Sequence, residues 1–355
     1  MKFQCYIQSS CAISPQHTFH RDIFSEALQT TDTNMLQALQ PDYAGLIPAN
    51  SLRRMSKVLK MGLAAAVQCL AEAGMPLAGA IITGTGKGSL QDMEKFIKDI
   101  VTYRETALNP TQFIQSTFNS VNGLIALQQQ ITQYNNTFVH RGLSFESALL
   151  DALLQLAEGK RNVLVGAFDE VTPDQFQIKS HSGWWKREKI NSAALLEHVS
   201  PGTIAGEGAV FFLLTDQPAP GAAAAIAGIQ LLHKPSTARL EAALQQFLAT
   251  HGLQAGQVDL LLSGRNGDSN YRHFYEQVAQ ALPGVPELSF KPLSGEYETA
   301  HAFGVWLGAQ MIRAGKAPEQ WFPGGTVFPR QYGTVLLYNQ YYGEQHAFIL
   351  LKKIP

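Results

Sequence analysis

An α/β fold built in layers is the prediction for this chain, and three observations carry it. Strand-like apolar runs alternate with helical stretches along the chain. One run, Asn162 to Ala167 (NVLVGA), is apolar almost throughout, as a strand covered on both faces must be. The rhythm then restarts after Thr215 to Ala225 (TDQPAPGAAAA), a segment rich in Pro, Ala and Gly, so that two halves with a similar order of elements follow one another. With 355 residues, 45% of them hydrophobic, the chain can bury a large core.

Phe3 to Ile7 alternates apolar and polar residues, as a half-buried strand does, and turn-forming Ser and Pro follow. Leu52 to Gly74 reads as a helix, because Met55, Val58, Leu59, Leu63, Ala66, Val67 and Leu70 recur at helical spacing and Gly74 is placed to end it. Gly79 to Thr83 is a short strand entering a turn with Gly84, Gly86 and Gly88, and Leu90 to Tyr103 is a further helix. After the junction come strand Ala225 to Leu231, helix Leu240 to His251, strand Val258 to Ser263, helix Tyr271 to Leu282, and a hairpin of Thr334 to Asn339 with Ala347 to Leu351. The halves are expected to divide at 1–215 and 222–355 and to form one unit together.

Composition excludes several functions. Lys+Arg 27 against Asp+Glu 28 gives a formal charge of -1, which provides no basic field for nucleic acid or an anionic membrane. Cys5, Cys11 and Cys69 are odd in number and lack C-x-x-C spacing, so neither a disulfide framework nor a thiolate metal site is expected; buried apolar roles are. No window has the length and apolarity of a membrane span, and the N-terminus lacks the apolar core of a signal segment, so the expectation is a soluble protein kept in a reducing cytoplasm. The Gly84, Gly86, Gly88 turn lacks the spacing of G-x-G-x-x-G and reads as a tight turn, not a nucleotide site. No cofactor or metal is expected.

Three motifs narrow the reading. From His140, HRGLSFESALLDALLQLAEGKRNVLVGAFDE combines a buried helix (Phe145, Ala148, Leu149, Ala152, Leu153, Leu156), a closing Gly159, a strand and a Gly-containing exit. Ala205 to Leu214, AGEGAVFFLL, is a Gly-rich turn into an apolar strand, and Phe290 to Gly304, FKPLSGEYETAHAFG, leads into the last long helix. Together with LRRMSK at Leu52 to Lys57 and NPTQFIQSTFNSVNG at Asn109 to Gly123, these make the sequence similar to the β-ketoacyl synthase family over nearly its whole length. The resemblance implies a thiolase-like fold of two similar α/β halves in an α-β-α-β-α arrangement. Within the family, the chain is most similar to degenerate ketosynthases and chain-length-factor-like proteins of aryl-polyene or flexirubin-type pathways.

In active relatives a cysteine at the N-terminus of the buried helix takes an acyl group from a carrier protein, its thiolate favoured by free backbone N–H groups and the helix dipole. The resemblance places that position at Gly142, which has no side chain with which to attack. The family's two histidines, which stabilise the enolate formed by decarboxylation, map to Asn266 and Glu296, and an ionised Glu296 is expected to repel that charge. The family's lysine is retained as Lys291. The Gly-rich C-terminal loop corresponds to Asn339 to Ala347, with Gly343 keeping the pattern and Tyr342 near the gating aromatic. Phe113, Ile114 and Phe118 fall in the loop that in the family reaches the dimer interface beside the acyl tunnel. They are expected either to fill the core or, Phe118 above all, to close the tunnel end. Asn136 to His140 is the expected dimer-forming edge strand.

The resemblance thus implies a non-catalytic subunit that pairs with an active ketosynthase, or with itself, and meets an acyl carrier protein. Two alternatives stand beside it: an acyltransferase or hydrolase using Ser144, His140 or Glu296, and a stand-alone acyl-binding or scaffold protein. Ser144 has a plainer reading as a helix-start residue, His140 and His301 as structural residues. Trp184, Trp185, Lys186, Arg187 and Lys189 read either as a docking face for an acidic carrier or as an ordinary excursion packed on the core.

Overall fold

A computed structural model describes residues 5–75 and 77–355. Phe3 and Gln4, assigned above to the first strand, lie outside the described residues. The strands are β1 (Cys5–Ile13), β2 (Met35–Leu36), β3 (Ala80–Gly84), β4 (Tyr134–Phe138), β5 (Asn162–Asp169) and β6 (Ala205–Gly206), followed by β7 (Gly208–Thr215), β8 (Ala224–His233), β9 (Leu260–Ser263), β10 (Glu287–Ser289), β11 (Thr334–Tyr341) and β12 (Gln345–Lys352). Ten of them join in the order β10-β9-β11-β12-β8-β1-β7-β5-β3-β4, and the short β2 pairs with β6 alone.

That order contains one topology twice. In chain order the first half contributes β1, β3, β4, β5 and β7, the second β8, β9, β10, β11 and β12; in both, the spatial order is third, second, fourth, fifth, first. Directions repeat as well. β3 lies parallel to β4 and β5 as β9 does to β10 and β11, while the fifth strand of each half is antiparallel to its neighbours. The halves meet where Cys5 to Ile7 pairs antiparallel with Ala224 to Ile226.

Three apolar clusters define the layers. The helix Lys57–Glu72 packs Val58, Leu59, Leu63 and Leu70 on one face of the first leaf, against Ile81, Leu164, Phe211 and Leu213. The opposite face, carrying Ile82, Val163, Val165, Phe212 and Leu214, meets the central helices Ser144–Ala157 and His301–Ala314. Beyond these lie Leu260, Leu262, Val335 and Leu337 of the second leaf, whose far face is covered by helices Thr237–Thr250 and Arg272–Gln280. The order is therefore α-β-α-β-α. A helix enclosed between two sheets must be apolar nearly all round, and His301 to Ile312 is buried without interruption. Likewise β3 is buried at every position, the property that made its neighbour β5 legible as a doubly covered strand.

Element bounds differ from the sequence reading where local bonding intervenes. Ser9 and Ser10, expected in a turn, lie inside β1, where a register shift between Ile7 and Ser9 accommodates them and Ser9 Oγ donates to Cys69 O at 2.6 Å. Leu52 and Met55 precede the long helix, which begins at Lys57 because Ser56 is extended and its hydroxyl is bonded to Ser89. The edge strand ends at Phe138, so Val139 and His140 belong to the connection that follows. The Asn339 to Ala347 loop contracts to a tight turn: β11 runs to Tyr341 and β12 begins at Gln345, with Tyr342 (φ 51) and Gly343 (φ 64) both left-handed.

Candidate functional site

Gly142 sits in the one-turn 3-10 segment Arg141–Leu143 that joins β4 to the buried helix Ser144–Ala157. Arg141 takes a left-handed φ of 52, which turns the chain sharply into the helix. Against this point lies Tyr341, the last residue of β11. A Cβ added to Gly142 would stand 2.2 Å from Tyr341 Cβ and 2.3 Å from its Cγ, so the tyrosine occupies the space any side chain there would need. The Gly142 N–H donates to Gln345 Oε1 at 2.9 Å, and Gln345 Nε2 donates in turn to His140 O at 3.1 Å. Both the side-chain space and the backbone donor at this helix start are therefore taken by the β11–β12 hairpin.

Tyr341 is 3% exposed and held at its far end as well. Its hydroxyl donates to Glu298 Oε1 at 2.9 Å, and the same oxygen meets Lys179 Nζ at 3.0 Å and Lys87 Nζ at 3.8 Å. Burial opposes ionisation of Glu298, but Lys179 and Lys87 outweigh it and hold the carboxyl below its usual range. Lys179 also lies 4.3 Å from the ring centre of Trp184, whose indole packs on Tyr342 at 3.9 Å and Tyr341 at 6.1 Å. Burial pushes the Tyr341 and Tyr342 hydroxyls well up, with Glu298 the leading charge for the former and Glu296 for the latter.

Asn266, Glu296 and Lys291 form one buried chain of contacts. Asn266 Nδ2 donates to Glu296 Oε2 at 2.8 Å, and Lys291 Nζ, 0% exposed, meets Glu296 Oε1 at 2.5 Å. Glu296 is thus not an isolated carboxylate. Its charge is matched by Lys291, and both of its oxygens are engaged. The backbone beneath them explains two glycines: Glu296 N donates to Ile204 O and Gly206 N to Glu296 O, and Gly206 and Gly295 lie so close that a Cβ on Gly206 would reach 1.9 Å from Ser294 O. In the same GEGA turn Glu207 accepts from Ala38 N and Val171 N and pairs with Lys57 at 2.5 Å, which gives the LRRMSK lysine a structural role.

The Gly84 to Gly88 turn holds no phosphate geometry of its own, because it already surrounds a carboxylate. Asp169 Oδ1 accepts from Gly86 N, Lys87 N and Thr85 Oγ1, and Oδ2 from Thr299 N and Oγ1. A Cβ on Gly86 would meet Glu298 Cβ at 2.3 Å. Burial, then the charge of Glu298, push Asp169 upward against those hydrogen bonds.

The remaining sequence candidates separate cleanly. Phe113, Ile114 and Phe118 are 57%, 64% and 45% exposed, so the core-filling alternative is wrong for all three. Phe113 rests on Phe96 with ring centres 5.4 Å apart, and Phe118 lies over Gly88. Trp185 and Lys186, considered for a docking face, are buried; Lys186 Nζ donates to Ser200 and Gly267. Ser144 is buried, accepts from His140 N and donates to Arg141 O, so it fixes the turn before the helix and leaves the helix N–H groups uncapped. His140 is exposed with Nδ1 against Ser147, whereas His301 is buried, bonded to Glu146 at 2.6 Å and stacked on Phe290. Cys5, Cys11 and Cys69 are buried and free, and burial raises all three thiols. Sequence reasoning missed Tyr341, Gln345 and the Glu298–Lys179 pair. A loop too short to remain Gly-rich was the only signal for them.

Comparison with known proteins agrees with this architecture. The family profile described as Beta-ketoacyl synthase, N-terminal domain, matches residues 29–206, half of the chain. No curated protein sequence matches. Among solved structures, the ishigamide ketosynthase/chain length factor superposes with a TM-score of 0.80 at 14% identity, covering 100% of both chains. The ketosynthase (ApeO) in complex with its chain length factor (ApeC) from Xenorhabdus doucetiae gives 0.77 at 14% identity over 99% of this chain and 98% of that one. A type II polyketide synthase acyl-carrier protein in complex with its ketosynthase (AntDE:AntF) gives 0.77 at 12% identity, with 100% of each chain covered. At such identities these likenesses establish the fold. Taken with the profile match over residues 29–206, they show that the chain belongs to the β-ketoacyl synthase family and has its thiolase-like fold.

Proposed function

We propose that this chain is a ketosynthase-like subunit without the Cys-His-His triad, acting as a chain-length-factor-like partner of an active ketosynthase in fatty-acid or polyketide synthesis of the aryl-polyene kind. The observation that carries the reading is the closed state of the helix start at Gly142, where Tyr341 takes the side-chain space and Gln345 the backbone N–H. Asn266 and Glu296, in the places of the family histidines, are tied to each other and to Lys291, leaving no imidazole to stabilise an enolate. Loss of a single oxyanion donor typically costs about 100- to 1,000-fold in rate; here nucleophile and donors are all replaced.

The partner reading draws support from a different surface. Phe113 and Ile114, on the short helix Pro110–Gln115, and Phe118 just after it lie exposed in the segment that in the family reaches the dimer interface, and β4 ends the sheet. Two of the solved relatives are ketosynthase and chain length factor combinations and a third is a ketosynthase with its carrier protein, which favours an active ketosynthase and an acyl carrier protein as partners. The 1–215 and 222–355 halves would work as one unit in a cytoplasmic, cofactor-free complex. Among the described residues, no helix is long and apolar enough to cross a membrane.

The test is co-expression with a cysteine-bearing ketosynthase. Stable co-purification, condensation by the pair and none by the chain alone are the expected results. Turnover by the isolated chain, or a covalent acyl adduct on it after incubation with acyl carrier protein, would instead support an enzyme using unorthodox residues.

A further inference from the structure

The position assigned to the nucleophile is more than empty; it is filled from a distant part of the chain. We propose that Tyr341 is an internal plug that seals a latent thiol site just before the Ser144–Ala157 helix, with Gln345 taking the Gly142 N–H beside it. This rests on the equivalence of Gly142 with the family's nucleophile position and not on any partner of the chain.

Four observations converge. A Cβ on Gly142 would overlap Tyr341 at 2.2 Å, far inside the closest approach of real Cβ atoms. Tyr341 cannot swing aside freely, because its hydroxyl is bound to Glu298 and its ring lies among Trp184, Tyr342 and the Arg141 guanidinium, 5.7 Å from the ring centre. Glu298 is itself fixed by Lys179 and Lys87, so the plug is anchored to a buried ion pair. Gln345 Oε1 accepts the Gly142 N–H, the group that would otherwise be a free donor at the helix start. The hairpin therefore supplies its own occupant for both halves of the site.

The geometry makes a graded prediction. Because the contact is with Tyr341 Cβ as well as Cγ, Tyr341→Ala retains the overlap and only Tyr341→Gly relieves it. Gly142→Cys is therefore expected to destabilise the wild-type chain, to destabilise Tyr341→Ala nearly as much, and to be tolerated in the Tyr341→Gly background. The new thiol in Gly142→Cys/Tyr341→Gly stands at a helix N-terminus, where thiolate is favoured. It should displace iodide from iodoacetamide, losing its proton to solvent, at least ten times faster than Cys5, Cys11 or Cys69, whose burial suppresses their reactivity.

The experiment is denaturation of the three cysteine variants and their matched parents, followed by iodoacetamide labelling with peptide mapping. A loss on introducing cysteine that is much smaller in the Tyr341→Gly background, together with selective labelling at position 142, is the expected result. An equal loss in all three backgrounds would overturn the plug, even if every variant is destabilised. So would a Gly142→Cys single variant as stable as wild type and labelled as fast as the double variant. These measurements use the isolated chain, so failure to find a ketosynthase partner leaves their outcome unaffected.

Discussion

At Glu170 burial pushes the carboxyl up to about 7, helped by Glu207 and Asp92 and opposed by the Gln91 N–H and Lys57. Oε1 accepts from Gln91 N at 2.9 Å, while Oε2 is buried without a partner, the arrangement expected of a carboxyl that keeps its proton. The folded pKa lies above the ordinary carboxylate value, so the contribution is fully present below about pH 4.5 and is lost as pH rises toward 7. Glu170→Gln removes that titration and keeps the acceptor. Its stability relative to wild type should rise by about 1 kcal/mol per pH unit between pH 5 and 7 and level off above; parallel denaturation midpoints across that range would contradict this. Glu296 illustrates the other kind of buried carboxylate. Glu296→Ala leaves Lys291 uncompensated at 0% exposure and should cost about 3–5 kcal/mol by chemical denaturation, whereas Lys291→Met with Glu296→Leu should cost much less. Sequence could single out Gly142, Asn266 and Glu296 because each lies at a countable distance from a motif, and the structure puts Asn266 and Glu296 in direct contact. Tyr341 was not legible there, since its meeting with Gly142 joins a strand end to a 3-10 turn about two hundred residues away and depends on a turn only one residue longer than the shortest hairpin loop.

Among elements, legibility followed burial. The doubly covered β5 and the buried helix Ser144–Ala157 announced themselves through continuous or helically spaced apolar residues, while the bounds of β1, β8 and the final hairpin were set by pairing that no local pattern encodes. The stretch 109–123 is the instructive case: read as a loop, it forms a short helix, Pro110–Gln115, and the first turn of another, Ser120–Gln129. Its three bulky apolar residues, Phe113, Ile114 and Phe118, face solvent in the single chain. Ile97 and Val101 on the helix Leu90–Thr102, which packs on Pro110–Gln115, are also exposed, at 54% and 75%. A patch of this kind marks an association site. Because Phe118 is 45% exposed, Phe118→Ala should cost the isolated chain far less than the roughly 3–5 kcal/mol of a buried Phe. In the reconstituted pair it should shift products toward longer acyl chains. Melting temperature and product length together decide: a large loss of stability without a change in length would sink the gating role.

At the scale of the molecule, the repeated third-second-fourth-fifth-first topology places the two central helices, Ser144–Ala157 and His301–Ala314, in equivalent positions between the leaves. Glu146 and His301, near their starts, bond to each other at 2.6 Å in a fully buried contact that ties the halves together. The repeat could be suspected from element order but not proved from residues, since the halves share layer positions and not identities. It also determines what is left open. The sheet ends at β10 on one side and β4 on the other; β4 pairs with β3 and faces no further strand among the described residues. Its ends carry Tyr134 and Val139, 40% and 45% exposed, and the 109–123 segment adds the exposed Phe113, Ile114 and Phe118. An edge with unpaired backbone donors and acceptors and adjoining apolar surface either pairs or aggregates. The purified chain should therefore run as a dimer at micromolar concentration, with itself when alone and with a ketosynthase when one is supplied. Charged residues pointed at the join, Val139→Lys with Phe118→Asp, should drive it to the monomer mass in light scattering while leaving the melting temperature of the monomer within a few degrees. A wild-type chain that stays monomeric at that concentration, with the β4 amides exchanging freely with solvent, would count against pairing through this edge.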